Sequence, residues 1–505
     1  MKVLFLFLFF SITIFAQYDE PHRPQFHFSP PAKWMNDPNG MVYHNGEYHL
    51  FYQYYPNDTV WGPMHWGHAV SKDLVHWENL PIALYPDKLG YIFSGSAVID
   101  KQNTSGFGTK NNPPMVAMFT YHLMEGEKAG RTDFQYQGIA YSTDNGRNWT
   151  KYEKNPVIPN TENIKDFRDT KVFWHEQTKK WIVVLAVGNH VRFYSSGNLK
   201  DWKLSGEFGK NDGTHGGVWE CPDIFPLKIN GKTKWVLLVS INPGGANGGS
   251  ATQYFIGDFD GITFRNDNKS DEVLWLDYGR DNYAGVTWSN TPNNRRIFLG
   301  WMSNWDYAQK VPTEKWRSAM TLPRELSLRQ TEKGLRLIQT PVKETAKLRN
   351  GQFLGIKNEE IAKELSVGGE KSSLVEMDLG IDLSKTTATD FGVELSNAKG
   401  EIYKIGYDIA TKKFYSDRTN SGKKDFTENF AVKQHFANRL SNNNLLKLHL
   451  IFDKASVEMF ADNGEIVMTD IFFPTEDFTR FVIFSNNGKT TLLQAKAWNL
   501  KSIWK

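Results

Sequence analysis

The stretch AVSKDLVHW, residues 69–77, decides the fold class because two similar stretches follow it, AYSTDNGRNW at 140–149 and FYSSGNLKDW at 193–202. Each consists of a strand-like run, a polar turn and a tryptophan. Their spacing is close to the length of one four-stranded blade plus insertions. A single blade cannot bury both of its faces, so neighbouring blades must stack. The repeat therefore predicts a β-propeller.

The rest of the chain favours an all-β fold, because short strand-like runs alternate with Gly, Asn, Asp and Pro turns while helical periodicity is scarce. Residues that begin or directly precede apolar runs recur at Asp37, Ser94, Asp169, Glu220 and the segment 281–283. The innermost strand of each propeller blade lines the central channel, so side chains at equivalent strand starts can meet there. Five such positions predict five blades.

The C-terminal part has a different pattern, with regular alternation of apolar and polar residues at 446–451 and a hairpin turn at 462–464. This pattern predicts a β-sandwich, which we interpret as a packing and stabilising module. The predicted organisation is a five-bladed β-propeller over residues 22–335, a linker over 336–349 and a C-terminal β-sandwich over 350–505.

The N-terminus resembles a secretory signal. Lys2 is followed by an apolar run over residues 3–15 and by Ala16, a small residue suited to cleavage. The run is shorter than the roughly 20 residues that a membrane-spanning helix needs. We therefore expect a signal peptide over residues 1–16, export of the mature protein and no membrane span.

Composition excludes several classes of function. The formal net charge is +3 and there is no long basic run, so the sequence offers no electrostatic footprint for nucleic acid or an anionic membrane. The only cysteine is Cys221, which rules out an intramolecular disulfide and fits a small packing residue better than a nucleophile. A neutral substrate is expected.

Three short motifs each place an acid beside a turn or strand start. They are WMNDPNG at 34–40, Arg168-Asp169 before the apolar run 172–174, and ECPD at 220–223. Taken alone, the first is a surface turn, because Asp-Pro and Asn-Gly are common turn formers. Three acids in comparable positions make a shared site the better interpretation.

Together these motifs resemble glycoside hydrolase family 32, the invertases, inulinases and levanases, in which two Asp and one Glu occur in this order. The resemblance runs from about Phe26 to the C-terminus and includes Gln53 and the segments 61–63, 93–96 and 300–305. The chain departs from the family's usual Arg-Asp-Pro by having Thr170 after Asp169. The resemblance implies a five-bladed propeller followed by a sandwich.

The resemblance also implies catalytic roles. Asp37 would be the nucleophile, Glu220 the acid and then the base, and Asp169 the stabiliser of the transition state. Retaining cleavage of a glycoside needs such a nucleophile and acid about 5–5.5 Å apart. We expect Asn36 to help to keep Asp37 ionised and Arg168 to hold Asp169 as an anion.

Glu220 must instead carry a proton when the bond breaks, and we expect Trp219 and Pro222 to surround it with apolar surface. By resemblance, the eight substrate-binding residues would be Asn36 and Arg168 beside the acids, an aromatic wall of Trp61, Phe93 and Trp301, and the polar side chains of Gln53, Ser94 and Tyr283. Three of the histidines, His65, His68 and His215, show no metal-ligand spacing, so neither a metal nor another cofactor is expected.

These observations predict an exported β-fructosidase that removes terminal fructose from levan, inulin or sucrose-type substrates. Endo-levanase and fructosyltransferase activity remain alternatives, because a covalent intermediate can be transferred to a sugar as well as to water. A non-catalytic fructan-binding protein is the alternative of another class. Linkage preference and oligomeric state stay open at this stage.

Overall fold

The computed structural model describes residues 18–367 and 372–504. These residues form 35 strands, one short α-helix (α1, Met124–Lys128) and two 3-10 helices, Pro292–Asn294 and Lys343–Leu348. The predicted all-β class is confirmed. Among the described residues no helix is long and apolar enough to cross a membrane. The predicted signal peptide, residues 1–16, lies outside the described residues.

The chain from residue 33 to 341 forms five sheets in chain order. The strands of the first two sheets are β1 (Lys33–His44), β2 (Glu47–Tyr55), β3 (His65–Ser71) and β4 (Glu78–Leu84), then β5 (Tyr91–Ile99), β6 (Met115–His122), β7 (Gln135–Ser142) and β8 (Thr150–Lys151). The strands of the third sheet are β9 (Phe167–His175), β10 (Lys180–Val187), β11 (His190–Ser196) and β12 (Lys203–Phe208). All three are antiparallel meanders through these strands.

The fourth and fifth sheets follow the same plan. The strands of the fourth are β13 (Val218–Ile229), β14 (Lys232–Asn242), β15 (Ala251–Phe259), β16 (Phe264–Asn266) and β17 (Leu274–Trp275). The strands that follow along the chain are β18 (Tyr283–Thr287), β19 (Ile297–Met302), β20 (Trp316–Arg317), β21 (Ala319–Met320), β22 (Arg324–Thr331) and β23 (Gly334–Pro341). All of them except β20 form the fifth sheet. Strand β20 pairs in parallel with β1 instead of joining the fifth sheet. This pairing links the last of the five sheets to the first.

Two six-stranded sheets make up the C-terminal part. One contains β24 (Arg349–Ile361), β26 (Val375–Asp382), β31 (Leu445–Asp453), β32 (Ser456–Ala461), β33 (Ile466–Ile471) and β35 (Thr490–Leu500). The other contains β25 (Glu364–Val367), β27 (Asp390–Ser396), β28 (Ile402–Asp408), β29 (Lys413–Asn420), β30 (His435–Asn438) and β34 (Arg480–Asn486). Met377 and Leu450 of the first sheet share one hydrophobic core with Val393 and Ile483 of the second.

The two parts of the chain meet through buried ion pairs. Arg324 of β22 binds Glu458 of β32 at 2.6 Å, and Arg418 of β29 binds Asp281 at 2.7 Å. All four side chains are buried. Residues 336–349, which were predicted to be a linker, contain the end of β23 and the 3-10 helix Lys343–Leu348.

Candidate active site

The first strand of every one of the five N-terminal sheets is irregular where a site residue was predicted. In β1, β5, β13 and β18 the pairing register shifts after Asn36, Ile92, Glu220 and Tyr283, and in β9 it shifts around Asp169. Bulges of this kind re-aim side chains and are common beside active sites. The irregularities therefore turn the predicted residues away from the regular strand faces.

Four of these five strands, β1, β5, β9 and β13, line one pocket of about 250 Å³. Its lining residues are Asn36, Asp37, Gln53, Trp61, Phe93, Ser94, His122, Glu127, Phe134, Gln135, Asp166, Arg168, Asp169, Glu220 and Trp305. The structure thus brings the three predicted acids together with six of the eight predicted binding residues. Of the other two, Tyr283 donates a hydrogen bond to Glu220 from behind the pocket wall.

Asp37 lies in the bulge of β1 and is short of hydrogen-bond donors. Ser94 Oγ donates to Asp37 Oδ2 at 3.3 Å, whereas Asp37 Oδ1 has no partner among the described residues. Burial, and then the negative charges of Glu220 and Asp169, raise the pKa of Asp37 to about 7. The Asn36 side chain lowers this pKa, in the expected direction, but one amide donor does not offset burial beside two acids.

Asp169 is held chiefly by the backbone of the third acid motif. The Cys221 N–H donates to Asp169 Oδ2 at 3.0 Å, and the Cys221 thiol lies 3.6 Å from the same oxygen. Burial raises the pKa of Asp169 to about 6 despite the opposing charge of Arg168. Asp169 has a positive φ of 69°, which a non-glycine residue seldom adopts. Such strain is typical of functional positions.

Arg168 binds Glu220 more closely than its sequence neighbour Asp169. Its Nη2 and Nε lie 2.9 and 3.1 Å from Glu220 Oε1, while Nε is 3.9 Å from Asp169 Oδ2. Asp166 binds the other side of the guanidinium at 2.6 Å, and the Tyr283 hydroxyl donates to Glu220 Oε2. Both oxygens of Glu220 are therefore held by polar donors.

The predicted apolar environment of Glu220 is not found on the Trp219 side. Trp219 is fully buried in a separate hydrophobic core and donates from Nε1 to the Thr214 carbonyl. Successive side chains of a strand point to opposite faces, so a residue next to Glu220 in sequence faces away from it. The prediction failed for this geometric reason.

The aromatic wall differs from the prediction at one position. Trp61 and Phe93 line the pocket, as expected, with their ring centroids 6.1 Å apart. Trp301 is fully buried behind the wall, and Trp305 lies on the pocket surface, 4.9 Å from the Trp301 ring. Trp301 therefore supports Trp305 and does not line the pocket.

Comparison with known proteins identifies the family. The "Glycosyl hydrolases family 32 N-terminal domain" matches residues 27–341, and the "Glycosyl hydrolases family 32 C terminal" matches residues 343–499. The chain belongs to glycosyl hydrolase family 32. The match spans almost the whole chain, so the family assignment covers both the pocket and the C-terminal sheets.

Several relatives in family 32 are similar over most of their length. The levanase of Bacillus subtilis (strain 168) is 49% identical over 496 residues, which cover 97% of this chain and 72% of that protein. The extracellular exo-inulinase of Aspergillus awamori is 40% identical over 537 residues, with 100% and 99% coverage. The crystal structure of that exo-inulinase has a TM-score of 0.89 at 37% identity, covering 96% of this chain and 100% of that one.

A further similar structure is the β-fructofuranosidase from Schwanniomyces occidentalis complexed with fructosyl-erythritol. It has a TM-score of 0.85 at 33% identity and covers 97% of this chain and 100% of that one. Because the matched chains are covered nearly completely, the similarity extends to the whole fold and not to the pocket alone.

Sequence reasoning missed a polar group at the edge of this family 32 pocket. The His122 ring stacks on Phe93 with centroids 4.3 Å apart, and its Nε2 lies 3.0 Å from Glu127 Oε2. Gln135 Nε2 is 3.1 Å from His122 Nδ1. Burial lowers the pKa of His122 to about 4. His122 and Gln135 flank the insertion that contains α1 and Glu127, and this insertion carries no repeat or motif that could have signalled a role.

A second, larger cavity of about 1150 Å³ contains none of the three acids. Lys171, Trp174 and Trp235 are among its lining residues. Size alone does not identify the active site of this family 32 protein, because catalysis requires convergent titratable groups. Among the described residues, no group of three or more His, Cys, Asp and Glu side chains is placed to hold a metal ion.

Proposed function

We propose that the protein hydrolyses terminal β-D-fructofuranosyl bonds of levan, inulin and sucrose-type substrates, with retention of configuration. The observation that carries this proposal is the convergence of Asp37, Asp169 and Glu220 on one pocket. Relatives named levanase and exo-inulinase support the same substrate class.

We propose further that the five N-terminal sheets are the blades of a propeller over residues 22–335 and that the two six-stranded sheets form a sandwich over 350–505. The short segment 336–349 would join them. Support comes from the irregular first strands, because four of them line one pocket although they belong to different sheets, and Tyr283 of the fifth contacts Glu220 in that pocket. That arrangement is expected when five innermost strands surround one axis.

In the first proposed step, Asp37 attacks the anomeric carbon C2 of the terminal fructosyl unit. A bond forms between an Asp37 oxygen and C2, the bond from C2 to the glycosidic oxygen breaks, and Glu220 gives its proton to that oxygen. Asp169 would accept hydrogen bonds from fructose hydroxyls, which strengthen as positive charge develops on the sugar.

In the second step, Glu220 takes a proton from a water molecule that attacks C2. A bond forms between the water oxygen and C2, the bond between C2 and the Asp37 oxygen breaks, and fructose leaves with retained configuration while Asp37 returns to its carboxylate form. The clustered acids favour retention of a shared proton, since neighbouring like charges disfavour full ionisation. The reactive form has that proton on Glu220 and an ionised Asp37.

Exo action is supported by the shape of the pocket. Its volume of about 250 Å³ is below the roughly 300–1,000 Å³ of sites for drug-sized ligands, and Trp61, Phe93 and Trp305 form its aromatic surface. A pocket of this size suits one terminal sugar better than an internal chain segment.

Thin-layer chromatography of levan, inulin and sucrose digests at low conversion tests the activity and its mode. We expect fructose and almost no oligosaccharide. An early ladder of levan oligosaccharides would indicate an endo-levanase, and longer fructosyl products from sucrose would indicate a transferase. Substrate binding with no product at all would indicate a fructan-binding protein.

Export is the proposed localisation, with cleavage after Ala16. The charged and apolar N-terminal segment supports it, as do relatives named extracellular exo-inulinases. N-terminal sequencing of the protein recovered outside the cytoplasm should begin at Gln17. A mature protein that still begins at Met1 would contradict this proposal.

A further inference from the structure

One buried arginine of the C-terminal part, Arg418 in β29, binds two segments of the N-terminal part. Its Nη1 donates to Asp281 Oδ2 at 2.7 Å, and its Nη2 donates to the Tyr307 hydroxyl at 2.8 Å. The Tyr307 hydroxyl in turn donates to Asp281 Oδ1 at 2.6 Å. All three side chains are at most 1% exposed, so this three-residue cluster is shielded from water.

Each anchored residue lies two positions from a residue of the candidate active site. Asp281 precedes Tyr283, whose hydroxyl donates to Glu220. Tyr307 follows Trp305, which lines the pocket. Two residues of extended chain span only about 7 Å. A displacement of Asp281 or Tyr307 would therefore also move the neighbouring site residue, Tyr283 or Trp305.

Other contacts tie the same two segments together. The Ile471 N–H of β33 donates to Asp281 Oδ2 at 3.0 Å, and Asn304 Nδ2 donates to the Arg280 carbonyl at 2.8 Å. The segments around Tyr283 and Trp305 are thus joined to each other and to the C-terminal sheets. Removing the Arg418 charge would leave Asp281 buried without a cation.

We propose that Arg418 is a positioning residue, through which the C-terminal sheets hold Tyr283 against Glu220 and Trp305 against the pocket. The inference rests on the proposed function, because it concerns Glu220, the proposed catalytic acid. It assigns the C-terminal part a role in setting the catalytic geometry beyond its contribution to stability.

The test compares Arg418→Lys and Tyr307→Phe with Tyr283→Phe in the full-length protein. The control is Asp453→Asn, which alters a buried contact between the same two parts, at His27, and none with the segments 281–283 or 303–307. We expect Arg418→Lys and Tyr307→Phe to lower kcat about 10- to 100-fold, the range for small misplacements of catalytic groups, with KM changed by less than about twofold.

The pH profile and a double-mutant cycle provide readouts that a purely structural role would not change. Losing the Tyr283 donor favours the protonated carboxyl, so the alkaline limb of the kcat/KM profile should move to higher pH in Tyr283→Phe and in both anchor variants. The double variant Arg418→Lys/Tyr283→Phe should lose much less kcat than the two single variants added together, since both single changes weaken the same hydrogen bond between Tyr283 and Glu220.

We expect the control Asp453→Asn to lower Tm and to leave kcat and the pH profile unchanged. The proposal would be overturned if folded Arg418→Lys and Tyr307→Phe behaved in the same way. Fully additive effects in the cycle would also overturn it. If Arg418→Lys does not fold, the isosteric Tyr307→Phe and its cycle with Tyr283→Phe carry the test alone. A wild-type protein that releases no fructose would instead contradict the proposed function.

Discussion

Two regions of the molecule each bury several charged groups, but they differ in how the acids are paired with cations. At the boundary between the two parts of the chain, Glu458 is bound by Arg324 at 2.6 Å and by His27 at 2.9 Å. In the pocket, Asp37 has no ion-pair partner within 4 Å among the described residues, and Arg168 is shared by three acids. Each of the boundary acids Asp277, Asp281, Asp453 and Glu458 thus has a cationic partner, whereas the pocket leaves Asp37 without one among the described residues and holds excess negative charge.

The pKa values of Glu458, His27 and Asp37 reflect this contrast. At the boundary, burial alone would raise the pKa of Glu458, but the charges of Arg324 and His27 lower it. Burial opposes the charge on His27, yet its two acidic partners raise the pKa of His27 to about 9. In the pocket the pKa of Asp37 rises to about 7. Unbalanced acids with shifted pKa values are characteristic of sites selected for chemistry.

The largest expected effect is on activity in the pocket. Asp37→Asn and Glu220→Gln should remain folded and lose several orders of magnitude in kcat, because each removes a covalent or proton-transfer role. Steady-state kinetics on levan, with circular dichroism as the folding control, measures this. More than about a tenth of the wild-type rate would contradict the role of that residue, since general acid–base catalysis contributes at least about 10²-fold.

A large effect on stability is expected at the boundary. Arg324→Met should reduce the free energy of unfolding by about 3–5 kcal/mol, the usual cost of leaving a buried acid without its partner. Urea denaturation followed by tryptophan fluorescence measures it. The double variant Arg324→Met/Glu458→Gln should lose less than the two single changes added together. A loss below about 1 kcal/mol would mean that the boundary charges are not balanced by this pair.

In the pocket we expect a smaller effect on stability, opposite in sign to that at the boundary. Asp37→Asn should stabilise the protein, because folding raises the pKa of Asp37 and the ionised form is therefore disfavoured in the folded state. The destabilisation that ionised Asp37 causes in the wild-type protein is absent below about pH 4, grows as the pH rises to about 7 and is complete above it. We expect Tm to rise by about 2–4 °C at pH 8 and hardly at pH 4. An equal or lower Tm at pH 8 would contradict the charge imbalance.

The smallest expected effect is that of chelation. The proposed chemistry uses carboxylates alone, so incubation with EDTA should leave kcat/KM on levan unchanged. Complete loss of activity that is restored by adding a divalent cation would require a different assignment of the site.

The sequence was sufficient to locate the acids but not their partners. Asp37, Asp169 and Glu220 could be found because their three motifs resemble those of family 32, and their positions near strand starts supported convergence in space. Arg168 was assigned to its neighbour Asp169, yet its closer contact is Glu220, 52 residues away. Contacts between different sheets leave no periodic signal in sequence.

The aromatic residues illustrate a second limit. Trp301 and Trp305 belong to one motif, but β19 ends at Met302, and the turn after it determines which ring reaches the pocket. His122 precedes an insertion without any repeat, and Glu127 lies inside it. Pattern alone identifies the segment in such cases, and packing selects the side chain.

Capture of the proposed covalent intermediate by methanol tests the central claim most directly. Levan digested in water containing methanol should yield methyl β-D-fructofuranoside beside fructose, because a fructosyl–Asp37 intermediate reacts with either acceptor on the same face. Nuclear magnetic resonance identifies the anomer of this stable product. Formation of the α-anomer would contradict the retaining mechanism, and the absence of any fructose release would contradict the proposed function.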